Sequence, residues 1–268
     1  MKLNILVDND SCWNLNIVKN TIKYFHKKNL KINKIWIFPK KLSSKKNSSN
    51  ITLWYIKVFG LYVFIKLGFF YLIVTIRNLI SGINSFESLS KKYDVRIQFI
   101  NSPNEKILLK QIKKEKIQIS IVITDHIFEK KIINIKNHYL INKHSSLLPS
   151  FKGLFPYFWT KVFNKSNGVT FHLIDEKIDH GKILYQKKIR TNFNSMISFY
   201  LYVFDNYPKN LMLSINNLIK KKFIKKKYSK SYCLLPQKKD YNIFLENGGC
   251  VISISDLLKT KKISNYNK

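Results

Sequence analysis

Short apolar runs alternate with segments of helical periodicity along most of this chain, and that alternation leaves few architectures open. Residues 2–7 read as a buried strand, 8–11 as a polar turn, and 14–28 as a helix carrying Ile17, Ile22 and Phe25 on one face. Further strands are expected at 34–38, 95–100 and 117–124, with a helix at 104–114 between the last two. Residues 139–141 lead into another strand, 169–174 and 183–187 give two more, and 198–218 reads as a helix. Strands and helices in this order build an α/β domain on a mostly parallel sheet flanked by helices. Such sheets bind ligands beyond the carboxyl ends of their strands.

One segment interrupts the pattern. After a Lys/Ser/Asn loop at 40–50, residues 51–80 are aromatic and apolar on every side, with Lys66 the sole charge between Lys57 and Arg77. The length suffices to span a bilayer, although a lysine at its centre costs about 3 kcal/mol there. A packed helix, a helix lying in the membrane interface and a true span all stay open. The packed or interfacial helix is favoured, because strands and helices continue on both sides of it. The main domain is therefore assigned to 1–220, with 51–80 as a long apolar helical insertion. Residues 221–268 form a basic linker, opened by the run KKKFIKKK at 220–227, and a short C-terminal tail.

The net charge is +33. The chain has no alanine, and its arginines are Arg77, Arg96 and Arg190, so the charge is almost all lysine. Lys, Asn, Ile, Phe and Tyr are abundant together, as codon bias toward A and T produces. Phosphate recognition favours the arginine fork, so a solvated lysine surface is the first reading; nucleic acid or an anionic membrane is the second. Cys12, Cys233 and Cys250 form no metal-binding pair, and His26, His126 and His138 lack ligand spacing, so no metal is expected. The odd cysteine number and an N-terminus without a signal-peptide pattern point to the cytoplasm, with membrane association through 51–80 left open.

The chemistry-bearing residues lie in two blocks. The first is INKHSSLLPSFKG, 141–153, where Asn142 and His144, two apart at the end of a strand, share a face. The second is GVTFHLIDEKIDHGKILYQ, 168–186, where Asp179 occupies a loop and Gly181 permits a tight turn. The pattern Asn-x-His-x-Ser-Leu-Leu-Pro, then Gly-x-Thr-x-His and Asp-x-Gly-x-Ile, resembles the folate-dependent formyltransferases, from about residue 95 to 186. These include methionyl-tRNA formyltransferases, glycinamide ribonucleotide transformylases and sugar N-formyltransferases.

The resemblance implies a Rossmann-like sheet, a catalytic set of Asn142, His144 and Asp179, and 10-formyltetrahydrofolate as formyl donor. It implies donor contacts at Thr124, Asp125, His126 and Ile127, and at Ile174, Asp175 and Glu176. Acceptor contacts are expected at Asp8, Asn9 and Asp10, which equally suit an Asx turn, and at Ser146. Gln118, where an aspartate is common, and the loop TDHIF depart from the pattern. His172 is expected to pack beside the site and His180 to be exposed.

The expected acceptor is an amino sugar or another small amine. Glycinamide ribonucleotide is disfavoured, because DNDSCW after the first strand has no glycine and two carboxylates. Methionyl-tRNA suits the charge, but its enzymes carry a C-terminal barrel for which the tail looks short. A formyltetrahydrofolate hydrolase, which carries an added N-terminal domain, and a non-catalytic basic binding protein are the remaining alternatives. Oligomeric state is not legible.

Overall fold

The computed structural model describes residues 1–40, 48–225 and 227–259. The first half contains β1 (Leu3–Asp8), α1 (Asn14–His26), β2 (Ile32–Phe38), α2 (Ser48–Phe59), α3 (Leu61–Ile80), α4 (Phe86–Tyr93), β3 (Arg96–Phe99), α5 (Lys106–Glu115) and β4 (Ile119–Ile123). Next come α6 (Lys130–Ile133), β5 (Tyr139–His144), β6 (Lys152–Gly153), α7 (Pro156–Val162), β7 (Asn167–Leu173) and β8 (Ile183–Ile189). The last elements are α8 (Met196–Asp205), α9 (Tyr207–Ile219), β9 (Tyr232–Cys233), α10 (Lys238–Glu246) and α11 (Ile254–Lys259).

The main sheet has the order β3-β2-β1-β4-β5-β7-β8. The first five strands are mutually parallel; β7 and β8 are antiparallel to their neighbours. This is the Rossmann-like, mostly parallel sheet flanked by helices that the alternation predicts. Strand pleating sorts side chains onto two faces. Leu3, Ile5 and Val7 of β1, with Ile35, Ile37, Ile119, Ile121 and Ile141, join the cluster that α1, α8 and α9 cover. Leu6, Trp36, Phe38, Val122 and Leu140 face the other way, against Leu108 and Ile112 of α5. Central strands buried on both faces read as unbroken apolar runs, which is why they are visible in the sequence.

Three expectations change in detail. The apolar segment 51–80 is two helices, broken at Gly60, whose φ of 88° lies where only glycine sits comfortably. The helix expected at 198–218 is also two, α8 and α9, meeting at Asn206; Pro208 lies in the first turn of α9, where its missing N–H has no helical partner to lose. β5 runs past Asn142 to His144, because β7 continues its hydrogen bonding there. Of the loop expected at 40–50, residues 41–47 lie outside the described residues and the last three open α2. Lys226 of the basic run and 260–268 of the tail also lie outside them.

The tail packs on the main domain. Phe244 of α10, fully buried, stacks on Phe158 of α7 at 4.7 Å between ring centroids. β9 pairs with β6, and α11 packs on α3.

On α1, Lys19 is 1% exposed and donates its Nζ to Asn16 Oδ1 at 2.7 Å. Burial, with Lys23 and Lys92 nearby, lowers its pKa to about 8. Unfolded lysine keeps its proton up to about 10.4, so folding expels a proton between those values, and stability at this site falls as pH drops through that window. Lys19→Met is therefore expected to stabilise the fold by about 1–3 kcal/mol at neutral pH. Denaturant midpoints at pH 7 and at pH 10 check it: the gain must shrink at the higher pH.

Candidate active site

β5 and β7 lie side by side, and their register sets Asn142 opposite His172 and His144 opposite Thr170. The loop from β7 to β8 returns over this edge and delivers Asp179. Its backbone is left-handed at Asp179, φ 49°, and a Cβ at Gly181 would collide with the carbonyl of Leu173. Gly181 thus lets the loop close tightly enough to place the carboxylate.

Asp179 sits between two imidazoles. Its Oδ2 is 3.4 Å from His144 Nδ1 and its Oδ1 is 3.5 Å from His172 Nε2. Oδ2 also accepts the Gly153 N–H at 3.0 Å. His144, His172 and Asp179 are all nearly buried. Burial alone raises the Asp179 pKa, but His144, His172 and the Gly153 amide outweigh it and hold the carboxyl well below the usual range. Asp179 is therefore ionised. For His144, burial is the largest influence and lowers its pKa, against the opposing pull of Asp179 and the Phe151 carbonyl. Its Nε2 lies 2.7 Å from Phe151 O and donates to it. In the neutral ring this leaves the Nδ1 lone pair facing the Asp179 carboxylate, so the pair is one proton short of a hydrogen bond.

Asn142 spends Oδ1 on the Lys143 N–H at 2.8 Å. Its Nδ2 has no partner among the described residues, so an amide donor is free beside the buried pair. A carbonyl oxygen is the group that such a donor fits. In this respect the residues present suit a formyl donor.

The tail buttresses the loop after β5. Ser231 Oγ accepts the Phe151 N–H at 2.7 Å, Ser150 Oγ donates to Ser229 O at 2.7 Å, and β6 pairs with β9. The carbonyl that holds His144 and the amide that holds Asp179 are both on this loop. The Leu148–Pro149 peptide within it is cis.

The remaining expected site residues divide. Asp8 is buried at the end of β1 and joins it to the β4 loop, accepting from Thr124 Oγ1 and from the Asp125 N–H. Its pKa is raised by burial. His126 is buried, 3.0 Å from Pro39 O, while Ile127 is 66% exposed. Asp10 caps the start of α1, accepting from the Cys12 and Trp13 amides, and pairs with Lys40 at 2.6 Å. Asn9 is exposed and donates its amide to Phe38 O. Ser146 is buried and donates to Ser150 O at 2.7 Å. Ile174 packs on the second core cluster, Asp175 faces His180 at 2.8 Å, and Glu176 pairs with Lys130 at 2.8 Å. These last side chains are engaged by partners within the protein. Among the described residues, no group of three or more His, Cys, Asp or Glu is placed to hold a metal ion.

Two members of the site are not among the residues expected to act. His172 flanks Asp179; its signal was the His of Gly-x-Thr-x-His. Lys143 is half-buried, with Nζ 2.9 Å from Ser145 Oγ and 5.0 Å over the Phe204 ring. Burial lowers its pKa to about 8, against the pull of Asp125 and Asp179. Nothing in its spacing distinguishes it from the many surface lysines.

The family described as formyl transferase matches residues 95–196. A methionyl-tRNA formyltransferase of Thermodesulfovibrio yellowstonii is 40% identical over 86 residues, 31% of this chain and 28% of the relative. One of Wolbachia pipientis is 31% identical over 119 residues, 44% of this chain and 40% of the relative. The matched region thus spans well under half the length of either relative. Among solved structures, a sugar N-formyltransferase from Shewanella has a TM-score of 0.54 at 17% identity, covering 92% of this chain and 87% of its own. An N-formyltransferase from Helicobacter canadensis, in complex with folinic acid and dTDP-3-aminofucose, has a TM-score of 0.53 at 20% identity, covering 92% and 79%. At these identities the structures establish the shared fold.

Proposed function

On the premise that residues 95–196 form a formyl transferase segment, we propose that this protein transfers a formyl group from 10-formyltetrahydrofolate to a small amine, an amino sugar being the leading class. One observation carries the reading: Asn142, its side-chain N–H groups without a partner among the described residues, shares a strand with His144 and lies opposite His172, and Asp179 is held between those two imidazoles.

The acceptor amine attacks the formyl carbon, and negative charge develops on the formyl oxygen. The Asn142 Nδ2 donor, already placed, stabilises that charge without reorganising. The new C–N bond leaves the nitrogen positive, and it must lose a proton. The His144–Asp179 pair has room for one, between Nδ1 and Oδ2, reached directly or through water. As the bond to N10 of the folate breaks, the electron pair stays on N10 and the proton returns there, releasing tetrahydrofolate and the N-formyl product. His172, opposite Asn142 on the neighbouring strand, flanks Asp179 on its other side.

A second reading has its own support. A groove lined by Lys161, Lys165, Lys188 and Arg190 offers a basic surface, and curated relatives are methionyl-tRNA formyltransferases. Methionyl-tRNA is the acceptor in that case.

Purified protein is mixed with 10-formyltetrahydrofolate, and tetrahydrofolate release is followed with nucleotide-linked amino sugars, methionyl-tRNA, glycinamide ribonucleotide or no acceptor. Release that depends on an amino sugar supports the proposal. Dependence on methionyl-tRNA moves the second reading forward. Release without acceptor makes the protein a hydrolase, and no release with any acceptor sinks the enzymatic reading.

A further inference from the structure

The helix α3 has two faces that its composition does not announce. One stripe faces inward: Phe70, Val74 and Asn78 are buried, with Val63 and Leu67 packed beside them. It rests on Cys12, Ile197, Leu201 and Ile252. Asn78 Nδ2 donates to Ser11 O at 2.8 Å, Trp13 Nε1 donates to Tyr71 OH at 3.1 Å, and Trp13 stacks on Phe70 at 5.2 Å. These contacts run along the helix axis, so α3 lies flat on the domain.

The opposite face has no partner among the described residues. Leu61, Tyr62, Ile65, Phe69, Leu72, Ile76 and Leu79 are between 46% and 68% exposed. From Tyr62 onward they recur every three or four residues along the 20-residue helix, a strip nearly as long as the helix's roughly 30 Å. The only charged side chain midway along, Lys66, folds over the Tyr62 ring at 4.1 Å, so its charge lies beside the strip. Only 17% of the helix's most apolar stretch, mean hydropathy 1.8, is buried. An apolar strip of this extent marks an interaction surface.

Charge selects the occupant. The molecule carries +33. A second copy would bring the same charge to the contact, and nucleic acid offers phosphate to a face that is apolar apart from Lys66 at its edge. An anionic bilayer offers both an apolar layer for the strip and negative headgroups for a molecule of net charge +33. We propose that α3 docks this protein, lying flat, on an anionic membrane surface. The rings of Tyr62 and Phe69 suit the boundary between headgroups and acyl chains. The inward contacts keep the helix on the domain, so it does not cross the bilayer.

Vesicle flotation tests this independently of any formyl transfer. The full chain is expected to float with equimolar phosphatidylcholine–phosphatidylglycerol vesicles, to stay unbound with phosphatidylcholine alone, and to be released by high salt. The exposed substitutions Phe69→Glu and Leu72→Glu together are expected to weaken binding roughly tenfold or more, with an unchanged melting temperature to show that the fold is intact. The proposal is overturned if the wild-type chain ignores anionic vesicles, or if it resists extraction by salt and alkali as a spanning helix does. It is equally overturned if light scattering shows a dimer that the double substitution converts to monomer.

Discussion

Replacing Asp179 with asparagine is expected to lower the rate of formyl transfer about a thousandfold while the protein stays folded. Asparagine has the same shape, and its Oδ1 can still accept the Gly153 amide that Asp179 receives at 3.0 Å. What disappears is the negative charge facing His144 Nδ1 at 3.4 Å and His172 Nε2 at 3.5 Å. Without it, a proton arriving on the His144 ring has no counter-charge in a buried site, so the amine cannot hand its proton on. The pH behaviour has a defined sign. Asp179 is held below, and His144 is lowered from, its ordinary value. The pair therefore stays ready to accept a proton as pH falls below about 6.5, and the acid limb of kcat/KM must lie beneath that value. Stability follows the same direction. The Asp179 contribution is complete above the ordinary carboxylate value and is lost as pH falls through its depressed one. His144 weakens folding as pH drops below its own ordinary value, because the unfolded ring takes a proton that the buried ring refuses. In the Asp179→Asn protein, the His144 imidazole must titrate lower still, which NMR of the ring reads directly. Transfer within tenfold of wild type would remove Asp179 from the mechanism.

How much of this site the sequence discloses depends on what kind of constraint each residue answers to. Asn142 and His144 are legible because a strand's period of two forces them onto one face. Asp179 is legible only through the ordered motif around it; its encounter with His144 crosses 35 residues of chain and is made by a left-handed turn that no periodicity announces. His172 was visible as a motif letter, but its position beside the carboxylate follows from the antiparallel register of β5 and β7, and strand direction leaves no mark on composition. Asp8 and Asp10 show the converse. Two carboxylates at a strand end suggest ligand contacts, yet one joins β1 to the β4 loop and the other caps α1. A cap or a strand tie and a binding residue use the same side chain, so the sequence alone leaves both open. The break at Gly60 stayed hidden because the apolar pattern resumes on both sides of it, whereas the one at Asn206 was marked by the polar stretch 205–210 and its Pro208.

The tail is where sequence was least informative, and one residue tests its role. Asp256 is 0% exposed. It accepts from Ser195 Oγ at 2.5 Å, Ser198 Oγ at 2.6 Å, the Ser253 N–H at 2.7 Å and Ser253 Oγ at 2.9 Å. Ser195 is the cap of α8, and the amides of Met196 and Ile197 at its start donate to Cys250 O and Val251 O. The tail thus supplies the acceptors that the first turn of α8 lacks, with a carboxylate at the end of the helix where partial positive charge accumulates. Asp256→Ala strands several buried donors at once and is expected to cost about 3–5 kcal/mol, roughly 10 °C in melting temperature for a chain of this size. We propose that 229–259 is part of the same folding unit as the main domain, so the loss must appear in a single calorimetric transition. Activity should fall along with it, because the same segment holds the loop that positions His144 and Asp179 through Ser231 and β9. If instead the main transition is unmoved and only the tail becomes protease-sensitive, the tail is an appendage, and the support it gives the loop after β5 contributes little.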